Sequence, residues 1–129
     1  MSDQKSVFLI CPVREADEIL KKLLSDYVAK LEAQGHKVHY PTRDTEQNDP
    51  SGGYKICRTN FRVLLDADEI HIWYDESSSG SKFDMGGIFM LHMLGIRKKI
   101  VIANEGLILA EPKQKSFLRV MRHLAQLFC

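Results

Sequence analysis

The chain has 129 residues, a length typical of one compact domain, and its 18 basic and 17 acidic residues almost cancel. A chain of this length buries a hydrophobic core without disulfides or metal ions. The neutral balance argues against a protein that binds nucleic acid through a basic surface. We therefore expect a single domain over residues 1–129 and no nucleic-acid partner.

The three cysteines, Cys11, Cys57 and Cys129, are few and far apart. An odd count without a C-x-x-C pair argues against a disulfide framework and a zinc site, so we expect reduced, cytoplasmic thiols and no metal. The apolar run at the N-terminus is too short for a secretory signal, and the longest apolar segment, "GIFMLHMLGI", is too short to cross a bilayer. We expect no membrane partner and no organic cofactor.

The first half of the chain predicts two strands and two helices. The run "SVFLIC" is typical of a buried strand, and apolar residues then recur at helical spacing from Arg14 to Gln34, where Gly35 can end the helix. "KVHY" predicts the second strand. The polar segment "PTRDTEQNDPSGG" predicts a loop of about a dozen residues, long enough to suggest a functional role. A second helix follows, from about Tyr54 to Ala67.

The second half repeats this alternation. "EIHIWY" predicts a third strand, which a serine-rich loop connects to an apolar helix from about Lys82 to Leu94. "KIVIA" predicts a fourth strand, and a last helix is expected from about Gln114 to Leu127. Short strands alternating with helices indicate a small, doubly wound α/β domain, flavodoxin- or Rossmann-like, with a parallel sheet of four to five strands.

This topology predicts where a ligand binds, because open α/β sheets hold ligands beyond the carboxyl ends of their strands. Those ends are the segments "CPVRE", "PTRD", "YDESSSGS" and "ANEG". We expect the serine loop and four charged residues to share that edge: Arg14, Arg43, Asp44 and Asp75.

The serine loop, Ser79-Gly80-Ser81, lies between a predicted strand and a predicted helix. Free backbone N–H groups and the helix dipole make such a turn suitable for a phosphate. Neither the Walker pattern nor G-x-G-x-x-G occurs, so an ordinary polar turn is the alternative.

Asp84 has a structural and a chemical interpretation. The spacing Ser81-x-x-Asp84 matches a capping box, with Ser81 as the N-cap. The same carboxylate could act as a nucleophile that the helix dipole keeps ionised. The two interpretations are compatible, and the local pattern does not choose between them.

Asn60 falls on the apolar face of its helix, so its amide needs a partner, either in the protein or in a ligand. The histidines offer less. His36 and His39 are expected on opposite faces of a strand, which disfavours a metal pair, while His71 and His92 are expected in packing or surface roles.

Over residues 6–104 the chain resembles the nucleoside 2-deoxyribosyltransferase-like superfamily, and the resemblance is most specific over residues 60–88. The family's transferases carry approximately D-S-G-T-x-F-E-x-G where this chain has Ser78 to Gly86. In the family, a catalytic glutamate attacks the anomeric carbon of the sugar. The resemblance implies this role for Asp84. The matching segments are "VFLICPV", "NFRVLLDADEIHIWYD", "SSSGSKFDMGGIFML" and "KKIVIAN".

Four residues depart from the transferase pattern. Asp84 replaces the glutamate, Asn60 replaces an aspartate, and Cys11 replaces a glycine. Ser78 replaces the leading aspartate and resembles the branch that hydrolyses deoxynucleoside 5′-monophosphates, where a serine contacts the phosphate. These changes point away from plain nucleoside transfer.

The resemblance implies an N-glycosidase that cleaves a nucleoside or nucleoside 5′-monophosphate, with Asp84 and Asn60 as catalytic residues. The alternatives are a nucleoside 2-deoxyribosyltransferase, a nucleotide-binding sensor without catalysis, and, less well supported, a flavodoxin-like FMN carrier. The expected binding roles are phosphate contacts from Arg14, Ser78, Ser79, Gly80 and Ser81, orientation of sugar or base by Arg43, and handling of the base's proton by Asp44 or Asp75.

The predicted third helix is apolar on nearly all sides, which is unusual for a helix that only covers a sheet. An exposed apolar face of this kind usually marks an interface. We therefore expect a homodimer through the helix from Phe83 to Leu94.

Overall fold

The computed structural model describes residues 4–108 and 115–128, which form a four-stranded sheet flanked by helices. Cys129 and the predicted start of the last helix at Gln114 lie outside the described residues. The strands are β1 (Ser6–Ile10), β2 (Lys37–His39), β3 (Glu69–Ile72) and β4 (Lys99–Ile102). The helices are α1 (Glu18–Ala33), α2 (Pro41–Asp44), α3 (Tyr54–Asp66), α4 (Ser79–Met93) and α5 (Phe117–Phe128), with a 3₁₀ turn at Glu105–Leu107.

All neighbouring strands are parallel, in the order β2-β1-β3-β4. Phe8 lies opposite Ile70, which in turn lies opposite Ile100. This order is that of a flavodoxin-like doubly wound fold, and it confirms the predicted fold class.

The sheet separates two hydrophobic cores, because alternate residues of a strand point to opposite faces. Phe8 and Ile10 of β1 pack on the side that holds α4 and α5, whereas Val7 and Leu9 pack on the side of α1. A strand buried on both faces needs apolar residues at every position, which explains the unbroken run "VFLI". Burying each such side chain contributes roughly 1.5–3 kcal/mol.

Helix α1 begins at Glu18, four residues later than the sequence predicted. Asp17 is the N-cap, and its Oδ1 accepts a hydrogen bond from the Leu20 amide at 2.8 Å. The cap leaves Arg14 outside the helix, in the connection between β1 and α1, where it is exposed.

Helix α4 begins at Ser79, so the predicted capping box is wrong. Ser78 is the N-cap: its Oγ accepts from the Ser81 amide at 3.2 Å and donates to the Ser81 Oγ at 2.8 Å. Any of four serines, Ser77, Ser78, Ser79 or Ser81, could have capped this helix. Asp75 decides among them, because its carbonyl accepts from the Ser78 amide at 3.1 Å and fixes the turn there. Asp84 therefore lies in the second turn and caps nothing.

The segment predicted as a long loop contains the short helix α2. Pro41 occupies its first position, where a missing N–H costs nothing, and the Asp44 carboxylate accepts from the Tyr40 amide at 2.8 Å. The loop proper runs over residues 45–53. Asp49 ties it to α3, since its carboxylate accepts from the amides of Ser51 at 2.8 Å and Ile56 at 3.0 Å.

His71 and His92 are packing residues, as the sequence predicted. His71 is buried, with Nδ1 2.6 Å from the Tyr27 hydroxyl and Nε2 3.0 Å from Glu69. His92 accepts from the Lys98 amide at 3.1 Å. Over the described ranges, no helix has the length and apolarity that crossing a membrane requires.

Candidate functional site

A cavity of about 240 Å³ opens at the carboxyl edge of the sheet, beside the ends of β1 and β3. The chain crosses from one side of β1 to the other here, so this is the switch point at which doubly wound folds bind ligands. Its volume lies slightly below the usual range for ligand pockets, which suits a small metabolite. The lining residues are Cys11, Val13, Arg14, Glu15, Pro41, Gln47, Gly52, Gly53, Ile56, Cys57, Asn60, Ser78, Ser79, Gly80 and Asp84.

Asp84 lies in the cavity wall, partly buried. Burial raises the pKa of this carboxyl group from 3.8 to about 7, so the sequence-based expectation of a carboxylate kept ionised by the helix dipole is wrong. The dipole acts mainly within the first turn, and in the second turn desolvation dominates. No described residue donates a hydrogen bond to Asp84 or forms an ion pair with it. The carboxyl group is thus left for a ligand.

Two thiols share the wall with Asp84. Burial, and secondarily the charge of Asp84, raises the pKa of Cys11 to about 12, and the same two causes raise the pKa of Cys57. Both cysteines are free thiols. They stay protonated at neutral pH and contribute weakly polar surface to the cavity, without the thiolate needed for nucleophilic attack.

Three other lining residues of the cavity, Arg14, Ser79 and Gly80, carry groups that can hold an anion. The Arg14 guanidinium is exposed and has no hydrogen-bond or ion-pair partner among the described residues. The amides of Ser79 and Gly80, at the start of α4, are likewise unpaired within the described part of the chain. Unpaired amides at a helix start and a guanidinium are groups that bind phosphate. Glu15 lines the same cavity and adds a negative charge next to Arg14 along the chain.

Asn60 faces inward as predicted and is 7% exposed. Its Oδ1 accepts a hydrogen bond from the Thr45 Oγ1 at 2.7 Å. The amide therefore has a protein partner and also lines the cavity.

Four of the predicted site residues do not line the cavity. Ser81 is buried in the first turn of α4, where its amide donates to the cap residue Ser78. Arg43 binds both carboxylate oxygens of Glu32, at 3.2 and 3.1 Å, and donates to Asp44 and to the Val38 carbonyl. Asp44 itself fastens the start of α2, and Asp75 accepts from the amide and hydroxyl of Ser77 at 2.9 and 2.7 Å.

The structure brings together Arg14, Asn60, Asp84 and the segment Ser78–Gly80 as the sequence predicted. The carboxyl-end rule places a residue at an edge but does not orient its side chain. Local hydrogen bonds turned Arg43, Asp44 and Asp75 away from the cavity.

Sequence reasoning missed the lining residues from the loop before α3, namely Gln47, Gly52 and Gly53, and from the first turns of that helix. The length of the loop was the signal that could have found them. The two glycines have φ of 75° and 107°, a left-handed backbone that strains other residues. They allow the loop to turn into α3 directly beside the cavity.

The sequence matches no protein-family model. No curated protein matches it either. Among solved structures, the fold is similar to that of a 2-deoxyribosyltransferase from the psychrotolerant bacterium Bacillus psychrosaccharolyticus. The two chains are 17% identical, with a TM-score of 0.55 over 74% of this chain and 70% of the other. At this identity the likeness shows a shared fold.

Proposed function

We propose that this chain, which has the fold of a 2-deoxyribosyltransferase, is an N-glycosidase that cleaves the base–sugar bond of a nucleoside or nucleoside 5′-monophosphate. The observation that carries the proposal is Asp84, a carboxyl group in the cavity wall to which no described residue donates a hydrogen bond. The shared fold, the Arg14 guanidinium and the unpaired amides of Ser79 and Gly80 support the same substrate class.

In the proposed reaction the ionised Asp84 attacks C1′ of the sugar, and the base leaves with the electrons of the glycosidic bond and takes a proton from solvent. Water then attacks the glycosyl ester, which releases the sugar and restores the carboxylate. A second base attacking in place of water would give transfer. Asn60 orients the sugar or base, while Arg14 and the amides of Ser79 and Gly80 bind the phosphate.

The proposal is tested by incubating the protein with nucleosides and nucleoside 5′-monophosphates and measuring free base by chromatography. A parallel reaction contains a second free base, so that a new nucleoside reports transfer and a free sugar reports hydrolysis. Release of base from at least one member of the panel is expected. Thermal stabilisation by nucleotides without any base release would reject catalysis and favour a nucleotide-binding sensor.

Arg14→Ala is expected to reduce the preference for nucleotides over nucleosides. A charge-assisted hydrogen bond contributes roughly 1.5–3 kcal/mol, so affinity for a nucleoside monophosphate should fall by about 10- to 150-fold. Affinity for the matching nucleoside should change little. Isothermal titration calorimetry with both ligands measures the difference.

Arg62→Ala is the matched control for Arg14→Ala, because Arg62 is an exposed arginine outside the cavity lining. It should leave both affinities unchanged. Equal binding of nucleoside and nucleotide by the wild-type protein would remove the phosphate from the proposal and favour a nucleoside substrate.

We also propose that two copies pair through α4. The outward face of this helix and its C-cap expose a stripe of large apolar side chains: Phe83, Met90, Met93 and Leu94, each more than half exposed. The buried side of the helix already covers the sheet with Met85 and Ile88. The helix is therefore apolar on both sides, and a second copy would cover the stripe.

Replacing Met90 and Met93 together by Glu is expected to convert the dimer to a 14.8 kDa monomer at micromolar concentration, because burying two carboxylates in an apolar interface is strongly unfavourable. Analytical ultracentrifugation measures the change. Ile19→Glu, on α1, is the control, since Ile19 is 74% exposed, more than either methionine, and lies on another helix. A wild-type protein that sediments as a monomer would contradict the proposed dimer.

A further inference from the structure

Three side chains form a hydrogen-bonded row behind the cavity wall. His39 Nε2 lies 2.8 Å from the Thr45 Oγ1, which lies 2.7 Å from the Asn60 Oδ1. The row joins β2, the residue after α2, and α3. Thr45 and Asn60 are 5% and 7% exposed, so the Thr45–Asn60 bond is shielded from bulk water.

The row has a direction. A hydroxyl has one hydrogen, and Thr45 donates it to the Asn60 Oδ1. Thr45 must then accept from His39, which places a hydrogen on Nε2. The His39 ring is held for this purpose by stacking on Phe8, with ring centroids 5.3 Å apart and planes 9° apart.

The backbone of Thr45 is also fixed. Its amide donates to the Pro41 carbonyl at 3.0 Å, and its carbonyl accepts from the Gln47 Nε2 at 3.1 Å. The hydroxyl is therefore presented to Asn60 from a rigid turn, and the amide of Asn60 loses the freedom to rotate.

With its oxygen engaged by Thr45, Asn60 keeps the two N–H donors of Nδ2, and no described residue accepts from them. Nδ2 is not sealed in the core: among the described residues, the one buried side-chain polar atom without a partner is Thr42 Oγ1. Since Asn60 lines the cavity, Nδ2 reaches solvent through the cavity.

We propose that Thr45 is a positioning residue that fixes the Asn60 amide with its N–H donors toward the cavity. The site then selects ligands that place a hydrogen-bond acceptor at this point, a carbonyl oxygen or an unprotonated ring nitrogen of the base. The identity of the ligand rests on the proposed function, whereas the orientation of the amide rests on the hydrogen-bonded row alone. An aspartate at position 60 would present an oxygen and reject the same acceptor.

The test measures dissociation constants by calorimetry for four probes, dAMP, dGMP, dCMP and dTMP. Thr45→Val keeps the shape and removes the hydroxyl, and should weaken the best-bound probe by about five- to tenfold, the value of one ordered neutral hydrogen bond. Thr45→Ser restores the hydroxyl and should recover most of the affinity. In an Asn60→Ala background, Thr45→Val should have no further effect, because a positioning residue acts only through the group that it positions.

Asn60→Asp tests whether residue 60 acts toward the ligand as a hydrogen-bond donor, because it replaces the N–H donors by a carboxylate oxygen. The measurement is made at pH 8. This variant should bind more weakly than Asn60→Ala, because two acceptors then face each other. Binding by Asn60→Asp as tight as wild type would overturn the proposed donor, and an undiminished effect of Thr45→Val in the Asn60→Ala background would overturn the positioning role. Failure of all four probes to bind wild type would overturn the inferred selection of a nucleotide base by Asn60, and would leave only the nucleoside substrate of the proposed function, which base release from nucleosides tests separately.

Discussion

Asp84→Asn is expected to abolish base release while making the folded protein more stable. An amide is a poor nucleophile, so the rate should fall by about 10³-fold or more, and chromatographic detection of free base measures the loss. The stability gain arises because the native carboxyl group is desolvated and no described residue compensates it. A residue with a merely structural role would show the opposite sign, a loss of stability with activity retained.

The stability gained by Asp84→Asn depends on pH, and the direction of that dependence follows from the raised pKa of Asp84. Between pH 4 and 7 the folded state holds a proton that the unfolded state releases, so stability falls as pH rises through this range. One pKa unit corresponds to about 1.4 kcal/mol, so the rise of the Asp84 pKa from 3.8 to about 7 destabilises the folded protein at high pH by at most about 4 kcal/mol. Water in the open cavity lowers this, and we expect Asp84→Asn to gain about 1–2 kcal/mol at pH 8 and nothing at pH 4.

Urea unfolding of both proteins at pH 4 and pH 8 measures this difference. Asp66→Asn is the control, because Asp66 is an exposed aspartate on α3 outside the cavity lining. It should change neither stability nor base release. Base release near the wild-type rate from Asp84→Asn would end the assignment of Asp84 as the nucleophile.

The pH dependence of the reaction is the second large effect. Only the ionised form of Asp84 attacks, so kcat/KM should rise about tenfold per pH unit below pH 7 and level off above it. The predicted change between pH 5 and pH 7 is roughly 50-fold for a single group of pKa 7, because the ionised fraction rises from about 1% to about 50%. Initial rates at subsaturating substrate from pH 5 to 9 give the profile.

The direction of the profile separates two roles for the same side chain. A protonated Asp84 acting as an acid on the leaving base would give a rate that falls above pH 7. His39 also has a pKa lowered by burial, so His39→Gln is the control, and its profile should keep the midpoint near pH 7. A midpoint that moves with His39, or a flat profile in the wild type, would contradict the assignment to Asp84.

Much of the fold could be predicted from the sequence because it is governed by local patterns. Apolar runs such as "VFLI" specify strands buried on both faces, and their alternation with helices specifies a parallel sheet. The rule that ligands bind at the carboxyl edge then located Arg14, Asn60 and Asp84 around one cavity. These predictions need only periodicity and topology.

The predictions that failed needed information about competing hydrogen bonds. Choosing Ser78 over Ser81 as the cap of α4 depends on the turn that Asp75 fixes before it. Because Ser78 is the cap, Asp84 lies in the second turn and not in the first. The pKa of Asp84 is therefore raised by burial and not lowered by the helix dipole. The partner of Asn60 could not be predicted either, because Thr45 reaches it through the folded loop and not through a sequence pattern.

The central position of β1 shapes how the chain folds during synthesis. Val7 of β1 pairs with Glu69 of β3, 62 residues later, and β1 is an inner strand that pairs with both β2 and β3. At about 5–20 residues per second, several seconds pass between synthesis of β1 and that of β3. During this interval the backbone edge of β1 that later pairs with β3 is available to other nascent chains, and mutations that delay β3 should lower the soluble yield before they alter the folded protein.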